Sequence, residues 1–391
     1  MVAYYPYWAA SDQYTPSMLP TDKLTHVIYA FDYPDPNTGQ AWLGQYPEDV
    51  QLLPDGSMGD PAQLHGLLQQ LVHVKRMNPH VKVSMSVGGA TFSGGFSTIL
   101  ANSTKRQTLV QYMTTWVNYF GLDGVDVDWE YPTTASDGIY FVTFVKELRA
   151  SLDKLAQENA ASTGYLLTVA LGGDTSKWVM DLPSMISYID YVHLMAYDYA
   201  QGASLPGMVT TGYLAPLHCT QDTPQGCVES SVNNLIQAGV PAQKLVVGLP
   251  AYGRTYTNIS QIQPNMPMFT NETQSGSIDL YNLPDFSTTA WMVKTDRVAQ
   301  ASWAYNAQVK EWIAFDTAAV TQAKAAWVAQ QGLGGMMVWH SAGDRRPGQT
   351  EASVVESAWT GLGGATNSWE LSLAHTHYPT SPFTNIQQWT V

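Results

Sequence analysis

Charge is scarce in this 391-residue sequence: Asp, Glu, Lys and Arg make up 13% of it, with 18 basic residues against 32 acidic ones. The formal balance of −14 argues against polyanion-binding classes, so neither nucleic acid nor an anionic membrane face is an expected partner. No apolar run approaches the roughly 18 residues that a membrane span needs. No glycine-rich phosphate loop follows the first strand candidate, which argues against a nucleotide-binding doubly wound sheet. Internal repeats are missing too. Cysteine is limited to Cys219 and Cys227, which flank a short loop rich in Thr, Gln, Pro and Gly. That arrangement suits a disulfide in an oxidising compartment. The opening Met1-Val2-Ala3-Tyr4-Tyr5 reads as a strand rather than a secretion leader, which fits either a cytosolic protein or a mature exported one. The cysteine pair and sequons at Asn102, Asn258 and Asn271 favour the second, so a secreted glycoprotein is expected.

Apolar and aromatic residues are plentiful: 45% of the chain is hydrophobic, with 13 Trp and 22 Tyr. Aromatic rings offer apolar plates to the C–H faces of pyranoses, so a neutral sugar ligand is a natural match. Short β-rich runs at 2–8, 25–31, 81–87, 124–130, 166–171, 191–196, 245–250 and 335–339 alternate with helical patterns. Asp60-Pro61 predicts a helix start, with Leu64, Leu67, Leu68 and Leu71 on one face. Leu109, Met113, Trp116, Val117 and Phe120 repeat that pattern, and further helices are predicted at 140–159, 229–238, 320–331 and 351–359. Eight strands with intervening helices predict an α/β fold, a (β/α)8 TIM barrel. The stretch 255–311 is too long for a simple crossover and predicts a small α+β lobe between strands 7 and 8. The barrel would then comprise 1–254 and 312–391, with the tail after Leu362 wrapping it or extending from it.

The most informative segment is Asp123-Gly124-Val125-Asp126-Val127-Asp128-Trp129-Glu130-Tyr131-Pro132. Side chains on a strand alternate faces, so Asp126, Asp128 and Glu130 form a column while Val125, Val127 and Trp129 face the helices. Three acids so stacked cannot all ionise easily, and at least one must hold its proton to unusually high pH. A carboxylic acid in that state can protonate a leaving group. Glu130 stands nearest the C-terminal face, where barrel active sites lie, and is the candidate acid. No histidine is expected to join the column, so no metal is expected there. His375 and His377 in the tail are expected to be solvated, and His340 to be packed.

The segment resembles the DxxDxDxE signature of family 18 glycoside hydrolases, the chitinases, with Asp123, Asp126, Asp128 and Glu130 filling its four positions. Ser86-Val87-Gly88-Gly89 resembles the family's SxGG, and Met195-Ala196-Tyr197-Asp198 its MxYD. Tyr252-Gly253-Arg254 and Trp339 follow in the expected order, so the resemblance runs from first strand to last. It implies cofactor-free, retaining hydrolysis of chitin or chito-oligosaccharides by a monomer. The substrate's own acetamido oxygen would attack the anomeric carbon to give an oxazolinium ion, with Glu130 as acid and then base. Asp128 would orient the acetamido group, and Asp126 would hold Asp128 through a shared proton, backed by Ser86 and Tyr4. Tyr197 and Asp198 would grip the acetamido group, and Trp339 would floor the pocket beside Met195. Tyr252 and Arg254 would contact the glycone side, and Tyr4, Phe31 and Tyr131 would surround the scissile sugar. Ala90 stands where many relatives have Trp, which implies weaker binding on the leaving-group side. Two alternatives remain open at this point: a non-catalytic chitinase-like lectin, and an endo-β-N-acetylglucosaminidase acting on N-glycans.

Overall fold

The computed structural model describes residues 1–53, 56–174, 178–200, 211–259, 273–364 and 372–387. Its strands are β1 (Val2–Pro6), β2 (His26–Pro34), β3 (Ala41–Trp42), β4 (Lys82–Gly88), β5 (Gly124–Asp128), β6 (Leu166–Gly172), β7 (Tyr191–Met195), β8 (Leu245–Pro250), β9 (Tyr252–Thr257), β10 (Thr273–Asp279), β11 (Met292–Asp296), β12 (Ala301–Asn306), β13 (Glu311–Phe315) and β14 (Gly335–Trp339). Eight of them pair in the order β1-β14-β8-β7-β6-β5-β4-β2, and β2 returns to β1 in parallel register. This closes the expected (β/α)8 barrel. Each barrel strand matches a run read from the sequence, because strands buried on both faces are written as short, almost continuous apolar stretches.

Between them the helices present one apolar stripe each. Helix Ser103–Phe120 starts at Asn102, whose side chain accepts from the Thr104 and Lys105 backbone N–H groups, and it stops at Gly121 in the left-handed region. Helix Ala135–Glu158 starts in a Thr134/Asp137 capping box. Met113, Trp116 and Val117 on the first helix and Phe141, Phe144 and Leu148 on the second are buried, as their spacing predicts. One helix begins elsewhere than expected. It spans Gly66–Met77 rather than starting at Pro61, since the Asp60 carboxylate accepts the Ala62 N–H at 2.9 Å in a local turn. Asp side chains compete with the helix in this way. No helix among the described residues is long and apolar enough to cross a membrane.

A second, antiparallel sheet has the order β10-β9-β13-β12-β11. It begins at Tyr252 and ends at Phe315, so its bounds are wider than the 255–311 read from the sequence. Among the described residues of this stretch the helical element is a 3-10 turn at Leu280–Asn282. Tyr256, Trp303 and Trp312 are packed in its core. The lobe does not separate as a compact body. The chain divides into one unit built on Met1–Leu171, Ser176–His193 and Trp369–Val391, and another built on Gly172–Thr175 and Leu194–Ser368.

Within the first unit the tail wraps rather than extends. The Ala374 N–H reaches the Pro79 carbonyl at 2.8 Å, and the Thr384 N–H reaches the Ala62 carbonyl at 2.9 Å. Asp123, the first acid of the motif, lies at the foot of β5 and is an anchor for this wrapping. Its carboxylate accepts the Val83 and His375 N–H groups at 2.8 and 2.6 Å and pairs with buried Lys75 at 2.9 Å. Lys75 also donates to the Tyr378 hydroxyl and the Gly121 carbonyl, each at 2.8 Å. His375 is thus buried, contrary to the solvated histidine expected, while His377 is exposed.

In the second unit Cys219 and Cys227 form the expected disulfide, and Cys227 also caps helix Val228–Gln237. The closed loop is short, so its loss should cost about 2–3 kcal/mol by the chain-entropy relation. The double Cys219→Ser, Cys227→Ser variant should show that loss in urea denaturation followed by circular dichroism. Asn102 and Asn258 are exposed, and Asn271 lies outside the described residues.

Candidate active site

The first unit assembles the acidic column from a row of neighbouring strands. Register places Ser86 on β4 and Thr168 on β6 directly beside Asp126 on β5. Asp126 is fully buried, and its Oδ2 accepts the Ser86 hydroxyl at 2.7 Å and the Tyr4 hydroxyl at 3.1 Å. Its Oδ1 accepts the Thr168 hydroxyl and stands 3.4 Å from His193 Nδ1. His193 in turn meets the Tyr4 hydroxyl at 2.9 Å. A histidine does therefore join the column, against expectation. It sits two residues before Met195 on β7, so the same alternation that located the acids could have located it.

These neighbours divide the two inner acids electrically. Burial alone would raise Asp126, but His193 and the hydroxyl bonds from Thr168 and Ser86 outweigh it and hold that carboxyl below the ordinary range. Asp128 is pushed well above that range by burial first, then by Glu130 and Asp126. Its Oδ1 is buried and has no hydrogen-bond partner among the described residues. The surroundings thus favour the protonated form of Asp128 and the ionised form of Asp126. A carboxyl raised on folding contributes stability that is complete below about 3.9 and is lost as pH climbs through the folded value. Asp128→Asn should accordingly gain on the parent by about 3 °C in Tm between pH 4 and pH 8. Equal displacement at both pH values would contradict a protonated Asp128.

β5 ends at Asp128, and Glu130 lies just beyond it, half-buried. The backbone there is held tightly. Ser93 Oγ accepts the Glu130 N–H at 2.8 Å and donates to the Asp128 carbonyl at 3.1 Å. Trp129 is buried between Phe96 and Phe141, with ring centroids 5.4 and 5.5 Å away. Tyr131 follows, half-buried. Gly88 and Gly89 are glycines for steric reasons. Gly88 has φ +117°, and a Cβ there would strike the Asp128 carbonyl oxygen; a Cβ at Gly89 would come within 2.6 Å of the Phe31 ring. The SxGG segment therefore lets β4 close directly onto the acids' strand at Gly88 and onto the Phe31 ring at Gly89.

The second unit holds a separate polar cluster. Asp198, in the left-handed region at φ 61°, takes both forks of Arg254 at 2.8 and 2.7 Å. The Arg254 guanidinium also lies over the Tyr252 ring at 5.1 Å. Tyr197 meets the Tyr252 ring edge-on at 6.1 Å, and Met195 is buried. Tyr197 and Trp339 are partly buried against the apolar cluster containing Tyr213, Tyr252, Trp303 and Trp312. His340 packs edge-on against Trp339 and accepts the Gly343 N–H at 3.0 Å. Burial, then Arg346, pushes it down to about 4, so it is a neutral, packed residue as expected. Among the described residues no group of three or more His, Cys, Asp or Glu could hold a metal.

Residues 1–344 match the family model described as Glycosyl hydrolases family 18. The chain is 29% identical over 396 residues to chitinase 1 of Aphanocladium album, an alignment covering 96% of this chain and 87% of that protein. Among solved structures, a chitinase from Bacillus thuringiensis superposes with a TM-score of 0.83 at 24% identity, covering 94% of this chain and 70% of the other. A chitinase-like agglutinin from Robinia pseudoacacia superposes with a TM-score of 0.74 at 22% identity, covering 92% and 98%. At those identities the two structures speak for the fold alone, and they carry different activities on it.

Proposed function

The chain belongs to glycosyl hydrolases family 18 and is a glycoside hydrolase of the chitinase class; from that premise we propose that it cleaves β-1,4-linked N-acetylglucosamine chains with retention, using Glu130 as acid and base. The observation that carries this reading is the acid row itself: Asp126 fixed by the Ser86, Tyr4 and Thr168 hydroxyls, Asp128 with a buried, unpartnered Oδ1, and half-buried Glu130 just beyond the end of β5. The unpartnered Asp128 Oδ1 is a ready acceptor for an acetamido N–H. With that group oriented, its carbonyl oxygen attacks C1 while the glycosidic C–O bond breaks. The Glu130 proton goes to the departing oxygen. Glu130 then takes a proton from water, whose oxygen attacks C1 from the opposite side and reopens the oxazolinium ring. Asp126, fixed by Tyr4, Ser86, Thr168 and His193, adds its charge to burial and to Glu130 in favouring the protonated form of Asp128. Tyr197, Asp198, Tyr252, Arg254, Met195 and Trp339 are assigned to sugar binding by their match to the family motifs. The disulfide supports export to an oxidising compartment.

The test is product analysis on chitohexaose, with anomers resolved in the first minutes. Early release of the β-anomer is expected. Binding without cleavage would point to the lectin reading, and glycan release from a glycoprotein in place of chitohexaose cleavage would point to the N-glycan reading.

A further inference from the structure

A second pair of buried acids lies away from the column. Asp32 directly follows Phe31 on β2, and Asp49 lies in the loop beyond β3; both are fully buried. Asp32 Oδ1 accepts the Gly44 N–H at 3.0 Å, and Asp49 Oδ2 accepts the Gln45 N–H at 2.8 Å. Two carboxylates therefore hold successive backbone donors of one loop. Three other buried acids have a basic neighbour: Lys75 serves Asp123 at 2.9 Å, Lys324 serves Asp316 at 2.5 Å, and His193 stands by Asp126. Among the described residues no Lys, Arg or His pairs with Asp32 or Asp49. The titratable groups facing them are the Tyr29 hydroxyl, which donates to Asp49 Oδ1, with Tyr5 behind it, and Glu48 on the loop itself. Asp32 Oδ2 is buried without a partner.

The loop so held presses on Phe31. A Cβ at Gly44 would strike the Phe31 carbonyl oxygen and lie 2.8 Å from the Tyr7 ring. Gly89 lies against the Phe31 ring itself. We propose that Asp32 and Asp49 act together as a clasp that positions the 43–50 loop against the Phe31 backbone and loosens as the two buried acids lose their protons. This rests on the reading of Phe31 as a sugar-contacting residue. Burial, then repulsion from Asp49, holds Asp32 well above the carboxylate range. Burial pushes Asp49 up to about 6, against the pull of Tyr29 and the Gln45 N–H. Both shifts are upward, so the clasp is complete below about 3.9 and weakens as pH rises through about 6 and beyond.

The test compares the parent with Asp32→Asn, Asp49→Asn and Asp32→Leu from pH 4.5 to pH 8, reading Tm by scanning calorimetry and KM on chitohexaose. Asn keeps an acceptor and cannot ionise. Asp32→Asn should gain about 4 °C on the parent between the two pH values, and should abolish most of a roughly threefold alkaline rise in KM with kcat little changed. Asp49→Asn should flatten the same two profiles, and it decides the matter if Asp32→Asn does not fold. Asp32→Leu, which leaves the Gly44 N–H without an acceptor, should raise KM at every pH. Asn variants displaced equally at both pH values, or a parental KM in Asp32→Leu, would overturn the clasp. Should the parent not cleave chitohexaose, the proposed function fails, while the calorimetric arm still judges the acid pair.

Discussion

Glu130→Gln should lower kcat on chitohexaose by about 10³-fold or more while leaving the dissociation constant within about threefold of the parent's. The substitution keeps the volume, the half-buried position and the Glu130 N–H bond to Ser93 Oγ. It also leaves Trp129 between Phe96 and Phe141. The lost feature is a transferable proton. An amide cannot protonate the leaving oxygen, nor can it take the proton of the incoming water, so both halves of the reaction suffer. Ground-state contacts to the sugar do not depend on that proton, so binding survives. Initial-rate kinetics and isothermal titration with the same oligomer separate the two effects. Turnover within tenfold of the parent would remove Glu130 from the role of acid.

Lys75→Met should cost about 3–5 kcal/mol, the largest stability effect expected of any single substitution at a charged site here. Lys75 and Asp123 are both completely shielded from water, and burial holds the ammonium down to about 8 despite the pull of Asp123. Methionine fills the space but leaves Asp123 charged and without its cation. It also removes the donor to the Tyr378 hydroxyl, on which the 372–387 segment is pinned. The exposed pair Lys154–Glu158 is a suitable contrast, since breaking it should cost no more than about 0.5 kcal/mol. Chemical denaturation of both variants checks the difference. A Lys75→Met loss below about 1 kcal/mol would mean that the paired ions were idle. Adding Asp123→Leu to Lys75→Met should recover part of the loss, because the stranded charge is then gone.

The barrel and the acid column were legible because both obey short periods. Eight apolar runs specify eight buried strands, and Asp126 and Asp128 follow the two-residue alternation of one of them. The Gly88-Gly89 pair was legible as a motif, though its cause, the approach of the Asp128 carbonyl and the Phe31 ring, needed coordinates. His193 was missed because a single histidine in an apolar strand carries no pattern of its own, although its spacing from Met195 did. The second sheet is less legible, because β11 is largely exposed along its length and shows no apolar face to read. The false helix start at Asp60-Pro61 reflects a local competition that the Asp side chain wins. Asp32 and Asp49 come together only through the loop that they fasten, and no local spacing announces such a pair.

The wrapping of the tail also has a consequence for biosynthesis. His375 lies 252 positions after Asp123, so a ribosome adding about 5–20 residues per second makes the signature strand roughly 12–50 s before its underside can be sealed. During that interval the nascent chain carries an ion pair open to water at the foot of an incomplete ring. Emergence of Tyr378, rather than of the first strands, is therefore the moment at which the foot of this barrel can become resistant to proteases.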